Sequence, residues 1–146
     1  MPSLFFRYYA KTYRIDRTPG GRQRGTILDL TTGLFVEDTE NLGEVLGATT
    51  TSHIAGLSEE RFVQVSEAAR NRYLVGDGPI FALYETINGV DALAVKEGRS
   101  RTPDETALIK ALYKRTFKLW EEEAARRAAG EPPSFQVTTR WQQRGQ

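Results

Sequence analysis

The residue types that most often carry out catalysis are scarce in this sequence. His53 is the only histidine and cysteine is absent, so a pair of histidines cannot bind a metal or share acid and base roles, and no thiol can act as a nucleophile. No stretch matches the G-x-S-x-G turn of serine hydrolases. We therefore predict that His53 is an exposed loop residue and that the chain has no catalytic residues, with a Ser–His–Asp arrangement left open as an alternative.

Two groups of acidic residues invite a metal-dependent interpretation. Asp91 and Lys96 match part of a nuclease pattern in which an acid and then acid-x-Lys follow on neighbouring strands, but position 94, where the second carboxylate should coordinate the metal, is alanine. The acids at positions 37, 38, 40 and 44 lack the glycine and the ligand spacing of a calcium loop. We interpret the second group as a solvated acidic turn, and we predict no metal and no cofactor.

The basic and aromatic N-terminus is the strongest binding signal. If residues 4–15 form one strand, alternation places every second residue from Arg7 to Tyr13 on one face. Such a face could bind nucleic acid, because aromatic rings stack on bases while cations hold phosphates. The same composition is common at protein interfaces, and we favour a protein interface here. The predicted binding residues here are Arg7, Tyr9, Lys11, Tyr13, Arg14, Arg17, Arg22 and Arg24.

Charge is distributed unevenly along the chain. Residues 1–24 carry a net charge of +5, residues 25–124 carry −7 and residues 125–146 carry +3. The basic ends either fold back on the acidic middle or bind an anionic partner. A stripe of lysines in the C-terminal half has no acid four residues earlier to pair with, so it is a second candidate binding surface, with a solvated helix face as the alternative. It consists of Lys110, Lys114 and Lys118.

One long helix is predicted between Thr102 and Gly130. Thr102 and Glu105 form a capping box around Pro103, and Gly130 is followed by two prolines that prevent continuation. Towards its end the apolar face becomes charged at positions 123, 126 and 127. Because a core face should stay apolar, we predict that the last two turns extend past the domain.

The residues after this helix form a predicted C-terminal arm, residues 131–146. Apolar side chains alternate with polar ones along its strand-like part. Since the helix before it is predicted to leave the core, we expect the arm to add a strand to the exposed sheet edge of a neighbouring chain. Its docking residues are Phe135, Val137 and Trp141.

The remaining segments predict an α+β fold. Short strands flank Thr31–Gly33, a short helix is expected near 41–46, and a longer helix capped by Ser58 runs to about Leu74. Asn88-Gly89 predicts a hairpin between strands at 80–87 and 90–96. We predict a small antiparallel sheet of N-terminal strands plus this hairpin, packed by two helices, with residues 1–130 as one domain and 131–146 as the arm.

Composition sets broad limits on function. With 39% hydrophobic and 27% charged residues, the chain of 146 residues has a globular composition. The absence of cysteine favours a cytoplasmic protein, and no apolar run suggests a membrane partner. We interpret the chain as a non-enzymatic interaction protein, a subunit or adaptor that binds a protein partner or its own copies. The alternatives are a nucleic-acid-binding protein and a small hydrolase or toxin-like enzyme.

Overall fold

A computed structural model describes residues 3–47 and 53–141 of the chain. It shows a five-stranded antiparallel sheet, a separate two-stranded sheet and four helices, which confirms the α+β prediction. The predicted loop residues 48–52 and the last arm residues, 142–146, lie outside the described ranges. In chain order the elements are β1 (Leu4–Tyr8), β2 (Lys11–Arg17), β3 (Gln23–Leu28), β4 (Phe35–Glu37), α1 (Leu42–Gly47), β5 (Ile54–Leu57), α2 (Glu59–Tyr73), β6 (Leu74–Gly76), α3 (Pro79–Lys96), α4 (Pro103–Ala128) and β7 (Val137–Thr139).

The N-terminal third forms most of the larger sheet, whose strand order is β4-β3-β2-β1-β5. The prediction of one strand over residues 4–15 is wrong, because the chain reverses between Tyr8 and Lys11, which pair with each other. Tyr9 has a φ of 57° in this two-residue turn. The hairpin could not be predicted from the sequence, because the alternating pattern continues through the turn and Tyr9-Ala10 contains no residue that is typical of a turn.

Helices cover both faces of the larger sheet. On one face the Phe5 ring lies 4.7 Å from the Phe62 ring of α2, measured between centroids. The opposite face carries Tyr13 and Ile15, which pack with Val45 of α1. Alternation along β1 and β2 thus separates two packed layers, with α2 on one side and the short helix α1 on the other.

The caps of the two longer predicted helices are confirmed. Ser58 Oγ accepts a hydrogen bond from the backbone N–H of Arg61 at 3.1 Å and begins α2. Thr102 and Glu105 form the predicted capping box, with bonds of 3.1 and 2.8 Å between side chain and backbone in the two directions. Gly130 has a φ of 94°, a left-handed conformation suited to the residue just past the end of α4.

The predicted hairpin around Asn88-Gly89 is wrong, because residues 79–96 form α3. Ile80, Tyr84 and Ile87 recur at helical spacing, and each is at most 3% exposed against α4 and the neighbouring elements. Asn88 exchanges two hydrogen bonds with the side chain of Asn71, of 2.8 and 3.0 Å. Burial of the apolar stripe therefore overrides a turn signal that involves only two residues.

The C-terminal segment returns to its own chain. β7 pairs antiparallel with β6, and Phe135 is 8% exposed in the core beside Trp120. In the structure Phe135 and Val137 thus pack within their own chain, where the sequence predicted docking on a neighbour. Trp141 is 55% exposed, with its ring edge-on to Tyr73. The sequence could not show that α3 would leave a site for Phe135 beside α4.

The last turns of α4 do not extend past the domain. Glu123 is 4% exposed and accepts hydrogen bonds from the N–H and hydroxyl of Ser134, at 3.0 and 2.6 Å. Its carboxylate also accepts from Arg127 Nε at 2.7 Å and, more weakly, from Arg126 Nη1 at 3.5 Å. The returning chain thus covers Glu123, which begins the charged continuation of the apolar face, while Arg126 stays exposed and pairs with Glu131 as well as with Glu123.

This arrangement makes Glu123 a source of pH-dependent stability. Burial alone would raise its pKa, but the hydrogen bonds from Ser134 and Arg127 outweigh burial and lower the pKa to about 2. A carboxyl whose pKa is lower in the folded state stabilises the fold above its unfolded pKa of about 4.5, and that stability is lost as pH falls from about 4.5 towards 2. We expect Glu123→Gln to be less stable than the parent at neutral pH, by a margin that shrinks across this window.

Urea unfolding at neutral pH and near pH 3 measures that margin. Glu122→Gln is the matched control, because its side chain is exposed on the same helix. A margin that stays constant with pH would contradict the role assigned to Glu123.

Candidate functional site

The predicted basic and aromatic N-terminal residues do not share one surface. Strand alternation and pairing place Arg7, Arg14 and Arg24 on the sheet face covered by α2, and Lys11 and Tyr13 on the opposite face. Two further candidates, at positions 17 and 22, are exposed near the β2–β3 turn. The set therefore cannot act as one stacking platform for bases.

Tyr13 is a core residue rather than a binding residue. Its side chain is fully buried, and its hydroxyl donates a 2.5 Å hydrogen bond to the carbonyl of Asp38. Burial raises the pKa of Tyr13 to about 12. The ring passes over Gly25, where any Cβ would collide with the Tyr13 hydroxyl. Glycine at position 25 is thus needed for this packing.

Tyr9 lies at the end of the N-terminal hairpin, beside the only histidine. Its ring stacks on that of His53, with centroids 4.9 Å apart and planes 7° from parallel. The neighbouring Tyr8 hydroxyl donates to Glu44 at 3.2 Å. His53 is exposed, as predicted, and its ring contact is with an aromatic side chain.

A cleft of about 370 Å³ opens between the larger sheet and the C-terminal half of α4. We call it the sheet cleft. Its rim carries Arg14, whose Nε lies 3.0 Å from Asp16, and Arg24, whose Nε lies 3.9 Å from Glu37. Two predicted binding residues therefore meet here. The lining residues are Arg14, Asp16, Arg24, Thr26, Leu34, Phe35, Arg70, Trp120, Glu121, Ala124 and Ala125.

Arg70 lies in this lining although its residue surface is only 1% exposed. Its guanidinium carbon lies 4.6 Å from the Trp120 ring centroid and 5.2 Å from that of Phe35. Nε donates to the Gly33 carbonyl at 2.8 Å, and Nη1 to Glu67 at 2.7 Å. Aromatic faces and two acceptors together hold a buried cation in one orientation.

Glu67 is the acceptor at the centre of a buried polar network. Its second oxygen, Oε1, accepts from Tyr84 at 2.8 Å and lies 2.5 Å from the Thr116 hydroxyl. Trp120 Nε1 in turn donates to the Tyr84 hydroxyl at 2.9 Å. Burial, with the charge of Glu67 adding to it, raises the pKa of Tyr84 far above its ordinary value. The network joins three helices, and Tyr84 acts in it as a neutral donor.

Sequence reasoning missed Glu67 and Arg70. The available signal was their position on α2, where Ser66 and Arg70 continue the line of Phe62 at intervals of four residues. A cation in the line of an apolar face indicates either an exposed face or a buried ion pair. Their partners Gly33, Tyr84 and Thr116 are distant in the sequence, so the pattern alone does not identify the buried pair.

A second and larger cavity, of about 440 Å³, is the groove between α2 and α4. We call it the helix groove. Gln64 crosses it and donates to the carbonyl of Lys110 at 3.0 Å. Two of the three predicted stripe lysines line the groove, and Lys118 does not. The lining residues are Glu59, Glu60, Val63, Gln64, Lys110, Ala111 and Lys114.

Asp91 and Asp38, two of the acidic residues considered for metal chemistry, have other partners. Asp91 lies on α3, not on a strand, and accepts two hydrogen bonds from Arg101, of 2.6 and 2.8 Å. Asp38 accepts from the side chain and backbone of Asn41. In residues 3–47 and 53–141, no group of three histidine or acidic side chains could hold a metal ion. Within the same ranges, no helix is long and apolar enough to cross a bilayer.

Comparison with known proteins finds no matching protein family, no matching curated sequence and no matching solved structure. The candidate functional sites are the sheet cleft and the helix groove. The first offers buried and exposed arginines in a confined space, and the second offers an open channel with charged walls.

Proposed function

We propose that this chain is a non-enzymatic interaction protein, a subunit or adaptor, that binds a protein partner through the helix groove. The observation that carries the proposal is the composition of the groove. Val63 and Ala111 form its apolar floor, Lys110 and Lys114 lie along the α4 side, and glutamates lie along the α2 side. An apolar strip between charged rims is the usual anatomy of a protein interface.

The positions of the charges favour an elongated occupant. Lys110 and Lys114 are four residues apart on α4, which places them about 6 Å apart along the helix axis. Glu59 and Glu60 lie in the first turn of α2, at the opposite rim. A partner segment with an acidic edge, an apolar strip and a basic edge would match all three parts of the groove.

The stripe lysines keep their charge available for such a partner. The residues four positions before Lys110 and Lys114 are Thr106 and Lys110, so neither has an acid in the position that best neutralises a helical lysine. The Gln64 side chain donates to the backbone carbonyl of Lys110, so this contact does not involve the ammonium group of Lys110. The proposal thus depends on two cations whose charge is not offset within their own helix.

Photo-crosslinking in an extract of the host tests the proposal. A photoreactive phenylalanine analogue is placed at Ala111, in the groove, and in a second sample at Ala82, an exposed alanine of α3 outside it. We expect a discrete crosslinked species from position 111 alone. Lys110→Glu with Lys114→Glu should reduce its yield at least fivefold, because both charges facing the acidic edge are reversed.

The matched control is Arg115→Glu with Lys118→Glu, which changes the charge equally on exposed residues of α4 outside the groove. This control should retain the crosslinked species. Equal yields from positions 111 and 82, or equal losses in both charge-reversal variants, would contradict binding in the groove.

The alternative functions stay predictions with less support. For nucleic acid, the predicted arginine, lysine and tyrosine residues lie on different sides of the sheet, and Tyr13 is buried. For a hydrolase, His53 stacks on Tyr9 at the end of a hairpin, and Asp91 is paired with Arg101. Neither arrangement brings together the groups that the alternative requires.

A further inference from the structure

We propose that the sheet cleft is a binding site for a single oxyanion group, phosphate or carboxylate, carried by a small molecule. In this site Arg70 would bind the anion from the floor, and Arg14 and Arg24 would bind it from the rim. The site is separate from the helix groove, because the two cavities share no lining residue.

The main observation is the orientation of Arg70. Its hydrogen bonds to the described residues use Nε and Nη1, to Gly33 and Glu67, and leave Nη2 without an acceptor there. Among those residues, every side-chain nitrogen or oxygen that is inaccessible to solvent has a hydrogen-bond partner. Because Nη2 has none, it must be accessible to solvent, and the cavity that Arg70 lines is the sheet cleft. A side chain that is only 2% exposed thus directs an unused N–H donor group into a cavity.

The environment of Arg70 keeps this donor group oriented. Its guanidinium, a planar fork of N–H donors, lies over the rings of Trp120 and Phe35, which restrict its plane. Hydrogen bonds to charged groups are shorter and stronger than neutral ones, and limited access of water strengthens them further. An oxyanion is the ligand that best matches such a preorganised N–H group.

The rim supplies two further cations at suitable spacing. Arg14 pairs with Thr26 across β2 and β3, and Arg24 is two residues from Thr26, so the two arginines are diagonal neighbours on one face. Diagonal neighbours have Cα atoms about 7–8 Å apart, a span over which two long side chains can hold one anion. Thr26, which pairs with Arg14 and also lines the cleft, supplies a hydroxyl as an additional donor.

Acids in the lining restrict the ligand to one anionic group. Asp16 pairs with Arg14 while both side chains are about one-third exposed, and Glu121 lines the α4 side. Exposed pairs of this kind contribute little to stability, so an incoming oxyanion can replace Asp16 as the partner of Arg14. The same two carboxylates would repel a polyanionic strand, which favours a small molecule whose apolar part contacts Phe35 and Ala125.

Trp120 provides a spectroscopic reporter of the site. The sequence has two tryptophans, Trp120 in the cleft lining and Trp141, which is 55% exposed. In a Trp141→Phe background all tryptophan emission comes from beside Arg70. We expect inorganic phosphate or acetate, titrated in separate samples at constant ionic strength, to change this emission saturably, while chloride does not. The stronger of the two ions identifies the anionic group.

Matched charge variants make the test specific. Arg14→Gln with Arg24→Gln should weaken the response at least tenfold. Arg17→Gln with Arg22→Gln removes the same charge from residues outside the cleft and should change the affinity less than twofold. Melting temperatures of both variants verify that the fold is intact. No saturable response to phosphate or acetate, or equal weakening in both variants, would overturn the proposal without affecting the helix groove.

Discussion

Replacing Glu67 by alanine should lower the free energy of unfolding by about 3–5 kcal/mol, because it leaves a buried cation without its carboxylate. The Glu67 and Arg70 side chains are 0% and 2% exposed and are joined by a bond of 2.7 Å. The substitution also removes the acceptor of the Tyr84 hydroxyl. Urea unfolding, followed by circular dichroism, measures the loss.

Two further variants separate the ion pair from a general loss of packing. Glu85→Ala removes an exposed glutamate from α3 and should change stability by less than about 0.5 kcal/mol. Glu67→Met combined with Arg70→Met removes both charges and should recover more than half of the loss caused by Glu67→Ala. A double variant less stable than Glu67→Ala would show that the contacts of Arg70 to Gly33 and the aromatic rings dominate.

Local signals allowed correct prediction of the helices whose ends are determined by their own residues. The caps at Ser58 and Thr102 and the left-handed Gly130 require only neighbouring side chains and backbone, and all three are present. The prediction was wrong at α3, where Asn88-Gly89 is typical of a turn. Both residues are exposed, so the helix tolerates them at a cost of about 1 kcal/mol for glycine while its other face is buried.

The candidate sites were predictable only in part, for a related reason. Charge and spacing in the sequence indicate Arg14, Arg24, Lys110 and Lys114 as binding residues, and the structure places the first two in the sheet cleft and the last two in the helix groove. Arg70 was not selected, although it is the most constrained cation near either site. Its role depends on acceptors and rings from β4, α4 and the loop before β4, which no local pattern brings together.

The second large effect is expected from Phe135→Ala, which should lower the free energy of unfolding by about 3–5 kcal/mol. The Phe135 ring is 8% exposed and lies edge-on to Trp120 and Phe81, with centroids 5.2 and 6.0 Å away. Gln136→Ala is the matched control, because the Gln136 side chain is exposed and its hydrogen bonds with Asp77 are made by its backbone N–H and carbonyl, which the substitution keeps. Its effect should stay below about 0.5 kcal/mol.

The same variant tests whether the C-terminal segment packs on its own chain or on a neighbour. When β7 pairs with β6 of the same chain, the unfolding midpoint of the parent does not depend on protein concentration, and Phe135→Ala lowers stability without changing the mass measured by light scattering. If β7 instead paired with β6 of a second chain, as in a domain-swapped dimer, unfolding would separate the two chains. The unfolding midpoint would then rise with protein concentration, and Phe135→Ala would convert the dimer into a monomer. Since Glu123 binds Ser134 immediately before Phe135, the segment is held at two adjacent points, and we expect a constant mass with reduced stability.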